Sequence, residues 1–162
     1  MRKHQKGFSL IELLIVVAII LIIAAIAIPN LLRSRMAANE ASAVGSLRTI
    51  NTAEVTFSTT YPSIGFANLS ALGGAAATCA TATGATSTGA CLIDDVLATT
   101  AVKSGYNFTA VAAGGAPNVT YASTALPTAV GQSGQRAFCS DQSGVIRYNA
   151  GGTACTNTDP AL

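Results

Sequence analysis

The sequence predicts an α+β protein, a long N-terminal α-helix packed on a C-terminal antiparallel β-sheet of about four strands. Three observations predict it. From Leu13 to Ile28 every residue is apolar. After Asn30 the apolar residues recur at steps of three, four and seven, the spacing of one helix face. From Tyr106 onward large and small side chains alternate instead, the period of a strand.

The elements follow in chain order. Residues 1–7 read as a leader, with Arg2, Lys3 and Lys6 before the apolar run. Residues 8–61 read as one helix, roughly 80 Å long at about 1.5 Å per residue. Its first half, 8–29, is long enough to span a hydrocarbon core of about 30 Å. The positive-inside rule holds the basic leader in the cytoplasm and turns the rest of the chain outward. Glu12 stands at the start of the apolar stretch, where a carboxylate is costly and reads as functional. Pro29 lies inside the helix, removes a backbone donor and crowds the carbonyl of Ala25, so a bend is expected there. The amphipathic half, 30–61, carries Ala43, Leu47, Ile50, Phe57 and Tyr61 on one face, with Glu54 at its edge. Arg48, Thr49, Thr52, Thr56 and Thr59 lie opposite.

Tyr61-Pro62 ends the helix. Residues 62–104 carry little pattern, and Ala71 to Ala90 is nearly all Ala, Gly, Thr and Ser. Such a stretch buries little and is expected to be a surface loop held by a disulfide. A turn of helix is expected around Asp94 to Ala98. In residues 105–162, Tyr106–Val111, Val119–Ala122, Arg136–Cys139 and Val145–Tyr148 read as strands. Asp141-Gln142-Ser143-Gly144 reads as a hairpin turn. It offers one carboxylate and one hydroxyl, short of the six to eight oxygens that calcium takes.

The four cysteines, Cys79, Cys91, Cys139 and Cys155, lie in the outward part, where disulfides are the natural state. Four cysteines allow three pairings. The most local is Cys79–Cys91 with Cys139–Cys155. There is no C-x-x-C, and the only histidine, His4, is in the leader, so no zinc site is expected.

Charge and composition exclude several classes. The net charge of +2 rests on the leader. Without residues 1–7, six basic side chains face seven acidic ones, about −1, and no basic surface argues for nucleic acid. No histidine remains to act as a base. Glu40, Glu54, Asp94, Asp95, Asp141 and Asp159 fall in no recognisable catalytic pattern, so no enzyme activity and no cofactor are expected.

Gly7-Phe8-Ser9-Leu10-Ile11-Glu12, the apolar run behind it and Pro29 closely resemble the N-terminus of type IV pilins and of type II secretion pseudopilins. The resemblance covers roughly the first 35 residues. It implies cleavage after Gly7 by a prepilin peptidase and N-methylation of Phe8. It also implies that the apolar helix stays on the mature chain as a filament core and that the body takes the pilin fold. The implied partners are copies of the chain itself, membrane lipid before assembly, an inner-membrane platform and a cytoplasmic ATPase. In this reading Glu12 pairs with the freed amine of Phe8, on its own chain or on a neighbour. The chain would be a single-pass inner-membrane precursor and then a subunit of a surface pilus. A major pseudopilin in a short periplasmic filament is the alternative, and a secreted or membrane-anchored binding domain is a further one. The last would follow if Ala25-Ile26-Ala27 were an ordinary signal cleavage site.

Overall fold

The computed structural model describes residues 8–74, Cys79 and residues 84–162. The leader and part of the Ala/Thr-rich stretch lie outside the described residues. The chain divides between Arg35 and Met36 into two units. Helix α1, Leu10–Thr60, begins in the first and ends in the second.

The first unit is the apolar half of α1. Every large apolar side chain from Phe8 to Leu32 is exposed. Leucine and alanine favour helix in this stretch, isoleucine and valine disfavour it only slightly, and no glycine interrupts it. Pro29 lies within α1, and helix continues on both sides of it.

The second unit folds around the amphipathic half of α1. Ala43, Leu47, Ile50, Ala53 and Phe57 are buried on one face, with Tyr61 half-buried beyond them. The opposite face is exposed. There the hydroxyls of Thr49, Thr52 and Thr56 donate to the carbonyls of Gly45, Arg48 and Thr52, four residues back. Two short helices follow. α2, Leu69–Leu72, buries Leu69 and Leu72. α3, Asp95–Thr99, buries Leu97 and is capped by Asp94, whose Oδ1 accepts the N–H of Leu97 at 2.9 Å.

The sheet has five antiparallel strands in the order β1-β2-β3-β4-β5. They are β1 Val102–Lys103, β2 Tyr106–Ala113, β3 Thr120–Pro127, β4 Ala137–Asp141 and β5 Arg147–Asn149. The fifth strand is β1, whose two residues are too few to show a period of two. Phe108 pairs with Ala125, Ala125 with Phe138, and Phe138 with Tyr148. Phe108, Ala125 and Phe138 are all buried. Together with Tyr106 and Ala110 they share one core with Leu47, Ile50 and Phe57 of α1, Leu72 of α2 and Leu97 of α3. The β4–β5 turn closes at Asp141–Gly144, with the N–H of Gly144 donating to the carbonyl of Asp141 at 2.9 Å.

Gly65 is among the glycines that the loops require. Gly65 has φ +79, and a Cβ there would lie 2.1 Å from the carbonyl oxygen of Asn118. That contact lets the chain after α1 bridge to Asn118 at the far end of the β2–β3 hairpin.

Leu47 has no exposed surface. Leu47→Ala is expected to destabilise the folded body by about 2–5 kcal/mol, read as a lowered midpoint in denaturant unfolding.

Candidate functional site

The candidate site is the start of α1. Phe8 and Ser9 precede the helix, and Glu12 lies in its first turn. The first N–H groups of any helix have no partner within it. Here the N–H of Ser9 donates to Glu12 Oε2 at 2.9 Å, and the N–H of Leu13 donates to the carbonyl of Ser9 at 3.2 Å. Ser9-x-x-Glu12 has the spacing of a capping box, and Glu12 supplies the reciprocal half of it. The carboxylate is thereby folded back toward Phe8. Sequence reasoning treats Glu12 as a charge awaiting an amine and gives Ser9 a place in the motif but no role. The serine three residues before the glutamate was the signal.

Gly7 lies outside the described residues. Phe8 is exposed, and so are the large side chains of the apolar run behind it. An apolar surface of this length cannot stay in water; lipid or another apolar surface has to cover it.

Two further carboxylates on α1 tie it to the body, and local pattern shows the partner of neither. Glu40 is buried and accepts four donors. The N–H groups of Gln135 and Arg136 reach Oε1 at 2.8 and 3.1 Å. Arg136 Nε and Nη2 reach Oε2 at 2.9 and 2.8 Å. Burial alone would raise the Glu40 carboxyl, but these hydrogen bonds and the Arg136 charge outweigh it and hold it below its ordinary value. The same guanidinium lies 5.3 Å from the centre of the Phe138 ring and 5.6 Å from that of Tyr148. Glu54, read from sequence at the edge of the apolar stripe, has no exposed surface and sits within it. It accepts the N–H of Ala67 at 2.9 Å.

The cysteines form Cys79–Cys91 and Cys139–Cys155, with Cα–Cα distances of 5.7 and 5.6 Å. The first ties Cys79, in the Gly/Ala/Thr-rich stretch, to the segment ahead of α3. The second ties β4 to the C-terminal segment. The chain end is also held by the N–H of Leu162 to the carbonyl of Ile146 at 2.9 Å. In the β4–β5 turn, Asp141 Oδ1 accepts the N–H and the hydroxyl of Ser143. Those bonds hold the Asp141 carboxyl below its ordinary value against the smaller effect of burial. Among the described residues no group of three His, Cys, Asp or Glu side chains is placed to hold a metal.

The family comparison falls on the same segment. Residues 2–28 match the family described as the prokaryotic N-terminal methylation motif. Two characterised proteins are similar over part of the chain. The type IV wide pilus major component PilA4 of Thermus thermophilus is 63% identical over 38 residues, 24% of this chain and 29% of that protein. The type IV major pilin protein PilA of Myxococcus xanthus is 48% identical over 54 residues, 33% of this chain and 24% of that one. The chain thus spans less than a third of the length of either relative it matches. No solved structure matches the chain.

Glu40 gives a test of the body. Its carboxyl titrates below its ordinary value when folded, so its contribution to stability is present above that value and is lost as pH falls through the folded one. Glu40→Ala is expected to cost on the order of 3 kcal/mol at neutral pH, with the gap to the parent narrowing in acid. Thermal unfolding across a pH series measures both.

Proposed function

We propose that this chain is a structural subunit that polymerises into a type IV pilus. The observation that carries the proposal is the exposed apolar half of α1, headed by a carboxylate and coincident with the methylation segment. The two similar proteins are both named as major pilus components, and neither is named for secretion.

In this reading a prepilin peptidase cuts between Gly7 and Phe8 and the new amine is methylated. The basic leader stays on the cytoplasmic side until then. The apolar helix anchors the precursor as a single inner-membrane span. An assembly platform and its ATPase then draw subunits into a filament, where copies of α1 cover one another and the disulfide-bonded sheets face outward. Pro29 is the place where the helix bends or yields as copies pack. The role is structural and involves no catalysis and no cofactor.

Glu12 selects depth and register. An incoming chain brings a cationic Phe8 amine into a layer where little solvent screens charge. A carboxylate one helical turn along the neighbour is the group that answers it. Its Oε2 is engaged by the N–H of Ser9. Oε1 is the oxygen left for the neighbour.

Two measurements test the reading. Mass spectrometry is expected to find the mature chain starting at a methylated Phe8. A start at Ile28 would mark an ordinary secretory signal and end the pilus reading. Glu12→Ala is expected to leave processing and the membrane-bound pool intact while abolishing sheared surface filaments. Removing an acid from the start of the span eases insertion, by less than the roughly 2.5–3.5 kcal/mol that a charge costs at the centre of a span. Glu12→Gln keeps an acceptor for Ser9 but no charge, and it should fail equally. Normal filament yield from Glu12→Gln would assign the residue to helix capping alone.

A further inference from the structure

Glu54 lies on the buried face of α1, three residues before Phe57, and has no solvent exposure. Its two oxygens are in different surroundings. Oε2 accepts the N–H of Ala67 at 2.9 Å. Oε1 is buried and meets no donor. No cation faces the carboxylate: among the described residues the ion pairs are Lys103–Asp94 and Arg136–Glu40.

The ionisable groups around it are few. From β3 comes Tyr121, whose hydroxyl is turned to Asn51 Oδ1 at 3.1 Å. Burial, then the charges of Glu54 and of Asp141 at the end of β4, push the Tyr121 hydroxyl up to about 12, so that it stays neutral. The segment 61–68 contributes only Tyr61, and α1 has no other ionisable residue between Arg48 and its end. An ionised Glu54 would therefore be a buried charge with one oxygen neither solvated nor paired, a costly arrangement. With a proton on Oε1 the charge is gone and Oε2 still accepts from Ala67. Burial pushes this carboxyl up to about 7, and the Ala67 hydrogen bond opposes that only in part.

Ala67 belongs to the loop 61–68, which leads from α1 to α2. At its two ends the loop is bonded to Phe57 of α1, through the N–H of Tyr61, and to Ala71 and Leu72 of α2, through the carbonyl of Asn68; between them its ties go to the β2–β3 end of the sheet. The N–H of Phe66 donates to the carbonyl of Asn118 at 3.0 Å, and the N–H of Asn118 to the carbonyl of Ile64 at 2.7 Å. Asn118 Nδ2 donates to the carbonyl of Phe66 at 3.0 Å. The Phe66 ring lies 4.8 Å from that of Tyr121. None of these contacts involves a titrating group at neutral pH. The bond to Glu54 does.

We propose that Glu54 is carried as a neutral acid in the folded protein and acts as a proton-controlled latch. Protonated, it holds the 61–68 loop against α1; ionised, it favours release of the loop. In the opened loop Glu54 reaches water and returns toward its ordinary value of 4.5. Between about 4.5 and about 7 the closed form binds a proton that the open form lacks. The closed population then falls as pH rises through that window and levels off above it. This is the opposite sign to Glu40, whose ion pair weakens in acid. The latch rests on the body alone and stands or falls apart from the pilus reading.

Hydrogen exchange of the Ala67 amide in the full chain, in detergent micelles, tests it. After correction for intrinsic exchange, protection should fall about tenfold per pH unit from roughly pH 5 to 7 and flatten above. In Glu54→Gln, neutral at every pH and close in shape, the profile should be flat. A flat profile in the parent, or the same slope in Glu54→Gln, overturns the latch. Should Glu54→Gln not fold, the carboxyl carbons are followed by NMR in the Glu12→Gln chain, where Glu40 and Glu54 are the glutamates left. One of them titrating near neutrality supports the latch; both titrating at or below the ordinary carboxylate range overturns it.

Discussion

The rest of the structure depends on one constraint: the first half of α1 has no cover of its own. Its large apolar side chains are exposed from Phe8 to Leu32. The second half is covered, by a sheet and two short helices that bury Leu47, Ile50 and Phe57 completely. A helix finished at one end and bare at the other is incomplete as a single molecule in water. Lipid can complete it, and so can further copies of the same helix. A filament subunit uses the first cover before assembly and the second after it.

The glutamates show how one helix manages carboxylates in three settings. All three in the chain lie on α1, and each accepts a backbone N–H. Glu12 takes the N–H of Ser9 at the helix start. Glu40 takes two N–H groups and the guanidinium of Arg136, so its charge is matched where it is buried. Glu54 takes one N–H and meets no cation, so its charge is unmatched. The body is therefore fastened to the helix at two points whose responses to pH are opposite. Near Glu40 the fastening weakens in acid, and in the proposed latch at Glu54 it weakens as pH rises toward neutrality. Between them the apolar core, which does not titrate, sets the stability that remains.

The architecture was legible in the sequence where periodicity was strong. The apolar run, the stripe at Ala43, Leu47, Ile50 and Phe57, and the alternation from Tyr106 each follow from one face meeting a core. β1 was not legible, because a strand of two residues carries no period. α2 was not, because Leu69 and Leu72 are buried by tertiary contact in a stretch of weak pattern. Of the site, Glu12 was legible as a carboxylate against an apolar run. The roles of Glu40 and Glu54 were not, since their partners Gln135, Arg136 and Ala67 are fixed by tertiary packing and by no local motif. Glu54 even contradicts the pattern, because a charged residue in an apolar stripe is expected to lie at its margin.

The central claim is that this chain is the material of a surface filament. Fibres sheared from cells, examined by electron microscopy and by mass spectrometry, test it most directly when cells with and without the chain are compared. The account predicts fibres built of the mature chain, absent from the cells that lack it. Fibres of unchanged abundance in those cells, with the chain found only in the membrane fraction of the others, would contradict it.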